Sequence, residues 1–341
     1  MVVSADRLDD LLAKVFKKIL KRGRRIGATR GANRELFGVL LHLKDPRARI
    51  SRTEMKGTLF SGLGELLWYL AGSDSLNFIC YYARRYDENS ADGVTVHGAY
   101  GPRLLRMRGC INQIENILAL LREKPTSRRA VIQLFNAEDL TQNYKEIPCT
   151  CTLQFVVRDR RLHMLTHMRS NDAFVGLPHD VFAFTMLQEL VARSLNVRLG
   201  SYRHAVGSMH LYDKHLEQVE SYLHEGWHEK VAMPPMPKED PWPSVRALLQ
   251  AEGELREGRS VDVATLQLPA YWRDLVRLLQ IYQHFDNTRR PDVDFEAEVA
   301  EIEALKKKMK SRVYDQYIDK KKTPAKPEEK PRPGQLALRW K

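Results

Sequence analysis

No run of about 18 apolar residues occurs in the 341-residue sequence, so no membrane-crossing helix is expected. Cysteine is scarce: Cys80, Cys110, Cys149 and Cys151 cannot make a disulfide scaffold at this length, which points to a reducing, cytoplasmic setting. The opening stretch, MVVSADRLDDLLAKVF, lacks a basic segment followed by an apolar one, and no secretory signal is expected from it. Acidic residues are in deficit, 43 against 55 Lys and Arg, but the deficit is local. Between Lys306 and Lys341 stand thirteen Lys and Arg and four Asp and Glu, so nine of the twelve net positive charges lie in that tail. With the tail set aside, a nucleic-acid binder loses most of its electrostatic support. The slight basic excess left in the body suits a small anionic substrate.

What is present is enough chain for a real core and one large domain with an appendage, or two domains. Leu8, Leu11, Leu12, Val15, Phe16, Ile19 and Leu20 recur at three- and four-residue spacing, which predicts an amphipathic helix over 5–22. The basic, glycine-containing stretch 23–33 reads as a loop able to meet an anion. Residues 59–70 read as a buried helix, and Ile111, Ile114, Ile117, Leu118 and Leu121 mark another amphipathic one. Segments 128–136, 152–159 and 161–168 are short and rich in β-formers, with a hairpin turn between the last two. A helix over 179–195 follows Pro178, then a strand over 202–212 and a helix over 214–224. A proline-rich linker at 234–243 leads to helices over 244–256, 269–285 and 293–318. The expected organisation is a body at 1–230, a helical extension at 231–318 and a basic, disordered tail at 319–341.

Three clusters carry chemistry. Cys149 stands directly before a strand, where it is either a nucleophile or a small thiol filling a gap. Cys149 and Cys151 lack a second ligand pair, so no metal site is expected. Arg169 and Ser170 suit a phosphate, and Asp172 and Asp180 could read amide or amino groups of a heterocycle. His210 and Tyr212, two apart on a strand, face the same way and could hold a sugar hydroxyl or simply fill a core.

Together these clusters resemble the thymidylate synthase superfamily, including its deoxycytidylate hydroxymethylases. The likeness runs from about Gly27 to Leu223. It is carried by GELLWYL (64–70), SRRAVI (127–132), PCTCTLQF (148–155), MRSNDAFVGLPHD (168–180) and GSMHLYDKH (207–215), in family order and at family-like spacing. The resemblance implies an α/β fold, a mixed sheet flanked by helices and dimerised through a sheet face, with a C-terminal helical appendage. It implies that Cys149 attacks C6 of a pyrimidine and that Glu65 is the general acid/base. Arg169, Ser170 and Arg30 would bind the 5′-phosphate, with Arg128 and Arg129 reaching in from the partner subunit of a homodimer. His210 and Tyr212 would hold the sugar 3′-hydroxyl, Tyr100 would line the substrate site, and Asp172 would contact the pterin of the cosubstrate, 5,10-methylenetetrahydrofolate.

The departures from the family bear on the substrate. Thymidylate synthases carry asparagine where this chain has Asp180, and histidine where it has Thr150. An amide suits uracil O4 and N3–H. A carboxyl group accepts from the cytosine amino group and, when protonated, donates to N3. The end of the sequence, GQLALRWK, does not match the short apolar terminus with which the synthases close over folate, and an open site favours water over hydride. The expected activity is therefore 5-hydroxymethylation of dCMP or CMP. The alternatives are a thymidylate synthase or dUMP hydroxymethylase, or a catalytically silent nucleotide- or nucleic-acid-binding module. Retention of Cys149 and Glu65 speaks against the silent module.

Overall fold

The computed structural model describes residues 1–28, 31–51, 58–226 and 231–322. Its centre is a mixed sheet in the order β1-β3-β7-β6-β5-β4, with β2 paired to β3. The strands are β1 (Val2–Ala5), β2 (Arg24–Ala28), β3 (Gly31–Leu43), β4 (Val131–Gln133), β5 (Thr150–Arg158), β6 (Arg161–Asp172) and β7 (Arg198–Tyr212). β6 and β7 run parallel, joined through helix α6 (Gly176–Ser194), while β5 meets β6 and β3 meets β7 antiparallel. The parallel register places Ser170 opposite Ser208 and Asp172 opposite His210, so the polar residues of two distant segments meet at one end of the sheet.

Local chemistry explains these elements. β5 and β6 are joined by Asp159 and Arg160, both at positive φ (50° and 55°), a two-residue turn whose twist suits a hairpin. Helix α1 (Leu8–Arg22) buries Leu8, Leu11, Leu12, Val15, Phe16 and Ile19. Its first turn carries Asp9 and Asp10 and its last Lys21 and Arg22, complementing the helix dipole. Helix α2 (Leu59–Leu70) is apolar nearly all round, and α6 buries every residue from Leu177 to Ala192, so both lie inside. Helix α3 (Leu76–Tyr82) crosses so close to α2 that a Cβ on Gly64 would sit 2.1 Å from the Tyr82 ring, so only glycine fits there. Two further helices, α4 (Tyr100–Leu105) and α5 (Gln113–Glu123), lie between α3 and β4 in the chain.

Three expectations need correction. The stretch 23–33 is not a loop: β2 and the start of β3 pair from Arg24↔Glu35 to Ala28↔Gly31. The strand expected over 128–136 shrinks to Val131–Gln133. The helix expected over 293–318 is broken into α10 (Phe295–Lys308) and α11 (Asp315–Lys322), because Asp274 takes the amide protons of Lys310 and Ser311 at 2.9 and 2.8 Å. Beyond β7, helices α7 (Leu216–His224), α8 (Trp242–Arg256) and α9 (Ala270–Asn287) complete the chain order.

The later helices share the core of the body. The Tyr282 ring on α9 packs at a tilt against Phe60 on α2, centroids 5.8 Å apart, and its hydroxyl donates to the Tyr81 carbonyl at 2.7 Å, while Tyr82 donates to Glu252 on α8 at 3.0 Å. The proline-rich segment is pinned too: Met233 and Met236 are buried, and the Met236 amide donates to Glu189, which is ion-paired with fully buried Arg49. No helix among the described residues is long and apolar enough to cross a membrane.

Candidate active site

Cys149 precedes β5, partly exposed, where the β5–β6 register slips between Thr150 and Thr152. Such a bulge bends the strand and redirects the side chains beside it. The Arg169 guanidinium, from β6, donates to the Pro148 carbonyl at 2.9 Å and the Ile147 carbonyl at 3.1 Å, and lies 3.6 Å from the Cys149 sulfur. One cation thus shapes the loop and stands ready to stabilise negative charge on sulfur. Burial pushes the Cys151 thiol up, away from the reactive thiolate. Tyr100 supports the same turn from the other side, its hydroxyl accepting from the Thr150 amide (3.2 Å) and hydroxyl (2.9 Å). Gly98 permits this approach, since a Cβ there would lie 3.1 Å from the Ile147 carbonyl carbon.

Glu65 is buried on α2. Its Oε1 accepts from Tyr69 at 2.7 Å and Tyr86 at 2.5 Å, while Oε2 is buried without a hydrogen-bond partner, 3.9 Å from Arg85. Burial first, and then the Glu65 charge, push both phenols well above their usual range, so they remain donors. Asp180, one turn into α6, is also buried and accepts from Asn171 Nδ2 at 2.8 Å. Burial, and then the nearby Glu65 charge, drive the Asp180 carboxyl well above the usual carboxylate range, against the opposing pull of Asn171 and Arg85. The site therefore holds two acids in different surroundings, one ringed by phenol donors and one biased towards its neutral form.

Asn171 Nδ2 has three acceptors within reach, Asp180 Oδ2 (2.8 Å), the Met168 sulfur (2.8 Å) and His204 Nε2 (3.2 Å), while Oδ1 is buried and unpartnered. The reversed amide would orphan two buried donors instead of one acceptor, each costing about 1–3 kcal/mol. At the end of β6, Asp172 Oδ1 accepts from the Phe174 and Val175 amides at 2.8 and 3.0 Å, which turns the chain into α6. His179 donates from Nδ1 to the Val175 carbonyl (2.8 Å), and its Nε2 meets the Ser61 hydroxyl at 2.8 Å, tying α6 to α2.

The His210 and Tyr212 rings meet edge to face at 5.0 Å, and Ser170 Oγ lies 3.5 Å from His210 Nδ1. The structure thus brings together Cys149, Arg169 and Tyr100, joins Ser170 to His210 and Tyr212, and couples Glu65 to Asp180. It does not bring in Arg128 and Arg129. These are exposed, and their side chains make no hydrogen bond or ion pair with described residues of their own chain. Arg30 lies outside the described residues. Among the described residues no set of three or more His, Cys, Asp or Glu is arranged to hold a metal ion.

Sequence reasoning missed Tyr69, Arg85 and Tyr86 around Glu65, and the Asn171–His204 pair behind Asp180. Tyr69, four residues after Glu65 on a helix, was the one with a local signal. Arg85 and Tyr86 reach the site from a separate turn and had none.

A family model described as thymidylate synthase matches residues 9–239, which includes every strand from β2 to β7 and ends inside the proline-rich segment. The mixed sheet flanked by helices is the architecture that the motifs led us to expect.

Proposed function

Because the chain belongs to the thymidylate synthase family, whose enzymes transfer a one-carbon unit from methylenetetrahydrofolate to a pyrimidine nucleotide, we propose that it is a 5-hydroxymethyltransferase acting on dCMP. The observation that carries this reading is Asp180, a buried carboxyl group biased towards its neutral form where the methylating family members have an amide. A neutral carboxyl whose hydrogen lies on the oxygen facing N3 donates to N3 and accepts from the cytosine amino group; uracil O4 and N3–H need the opposite placement.

In this reading Cys149 adds through sulfur to C6 of the base, and the electron pair released from the C5–C6 bond makes C5 nucleophilic. Arg169 meets the negative charge that the thiolate brings. Methylenetetrahydrofolate, when bound, supplies the one-carbon unit for C5. Asp172 is the residue to hold it, since only Oδ1 is used by the turn and Oδ2 is left to accept pterin N–H groups. Glu65 carries protons at C5. Its Oε2, without a hydrogen-bond partner among the described residues, is suited to hold the water that adds to the exocyclic methylene left when tetrahydrofolate departs; as that C–O bond forms, the C5–C6 double bond is restored and sulfur leaves C6.

Arg169 and Ser170, with Arg30, bind the 5′-phosphate, and His210 and Tyr212 the 3′-hydroxyl. Tyr100 buttresses the nucleophile's turn beside the substrate. The exposed side chains of Arg128 and Arg129, which make no hydrogen bond or ion pair with described residues, fit donation to the site of a second copy, which makes the active species a homodimer. None of the four cysteines is in a disulfide, in keeping with a cytoplasmic enzyme.

The test is the ratio of kcat/KM for dCMP and dUMP. The wild type favours dCMP, and Asp180→Asn shifts the ratio towards dUMP by roughly ten- to a hundredfold, the worth of about 1–3 kcal/mol in buried hydrogen bonding. An unchanged ratio in a folded Asp180→Asn variant removes Asp180 as the base reader.

A further inference from the structure

Behind Asp180 runs a chain of buried polar side chains that the proposed chemistry leaves unused. Thr166 and Asn171 come from β6, Tyr202 and His204 from β7, and none is more than 3% exposed. Tyr202 Oη donates to Thr166 Oγ1 at 3.1 Å, and at 2.7 Å a lone pair of the same oxygen takes the hydrogen on His204 Nδ1. His204 Nε2 is thereby left as an acceptor, met by Asn171 Nδ2 at 3.2 Å. The second hydrogen of that nitrogen goes to Asp180 Oδ2 at 2.8 Å, in preference to the Met168 sulfur, which lies at the same distance but is a weak acceptor. Burial above all holds His204 down, to about 3, so the ring is neutral and keeps this one-donor, one-acceptor form.

We propose that Asn171, oriented by His204, is a positioning residue for base specificity: by donating to Asp180 Oδ2 it keeps that oxygen the acceptor and leaves the acid hydrogen on Oδ1. A carbonyl oxygen accepts better than a hydroxyl oxygen, so a fixed inward donor biases where the proton sits. The placement decides the base. With the hydrogen on Oδ1, the carboxyl offers a donor to cytosine N3 and the second lone pair of Oδ2 to the cytosine amino group. With the hydrogen on Oδ2, the same two atoms would suit uracil O4 and N3–H. The relay thus works against uracil as much as for cytosine. The inference rests on the reading of Asp180 as the residue that meets the base.

The experiment is calorimetric binding of dCMP and dUMP, without folate, to the full-length protein. In Asn171→Leu and His204→Phe, dCMP affinity falls about tenfold relative to dUMP, the worth of one buried hydrogen bond. In His204→Gln, whose side-chain oxygen can accept from Asn171, the preference is kept. If Asn171→Leu does not fold, the His204→Phe and His204→Gln pair makes the same comparison. Equal weakening of both nucleotides would mark a packing defect and overturn the proposal. An unchanged ratio, beside an Asp180→Asn variant whose ratio does shift, would overturn it too. If Asp180→Asn itself leaves the ratio unchanged, the base-reading assignment falls and the relay with it.

Discussion

The Arg169 guanidinium lies 3.6 Å from the Cys149 sulfur while also holding the Ile147 and Pro148 carbonyls of the turn that presents it. Cys151, two residues on, has a thiol that burial disfavours as a thiolate. Cys149→Ser should therefore lower kcat by roughly four orders of magnitude or more, since a hydroxyl without an adjacent base is a poor nucleophile. Cys151→Ser should stay within about tenfold of the wild type. Steady-state kinetics of the two variants checks the pair, and the reverse pattern would move the nucleophile.

Arg128 and Arg129 are exposed, and their side chains make no hydrogen bond or ion pair with described residues; the proposed function gives them a role across a dimer interface. Arg128→Ala or Arg129→Ala should raise the nucleotide KM, each charge-assisted phosphate contact being worth roughly 1.5–3 kcal/mol. Mixing either variant with Cys149→Ser subunits should restore part of the activity, because a hybrid dimer can assemble one intact site. No recovery after verified subunit exchange would contradict donation across the interface.

The donors around Glu65 predict a split between binding and turnover. Tyr86→Phe or Tyr69→Phe removes one hydrogen bond to Oε1 and should lower kcat by roughly tenfold, about 1.4 kcal/mol, with nucleotide Kd nearly unchanged. A rise in Kd with constant kcat would place these phenols in substrate binding instead.

Buried Asp180 and His204 should squeeze stability from opposite ends of the pH scale. Asp180 is raised in the folded state, so the folded protein binds the extra proton and loses stability as pH rises from the unfolded carboxylate value of about 4. His204 is lowered to about 3, so its contribution is present above the unfolded histidine value of about 6.5 and is lost as pH falls below it. Relative to wild type, Asp180→Asn should gain melting temperature on going from about pH 5 to about pH 8, and His204→Gln on going from about pH 7 to about pH 5. Parallel curves for wild type and variant would contradict the buried protonation states.

How much of this was legible in the sequence follows from the range of the interactions. The apolar run 59–70 reads directly as the buried helix α2, and Asp159-Arg160 between two β-rich runs marks the hairpin. The β2–β3 hairpin was misread because its glycines and arginines look like a loop, while its pairing is completed by β7, more than 160 residues later in sequence. The break after α10 depends on Asp274, 36 residues before Lys310, and no local pattern announces it. The same holds at the site. Cys149, Arg169 and Asp180 stand in dense motifs, but Arg85, Tyr86 and His204 matter through contacts made across the sheet and between separate segments.

The most direct measurement is the mass of the product formed by the purified protein with methylenetetrahydrofolate and, separately, dCMP, CMP and dUMP. The account predicts 5-hydroxymethyl-dCMP as the main product, with dUMP consumed far more slowly. A methylated product, or faster conversion of dUMP than of dCMP, would contradict it.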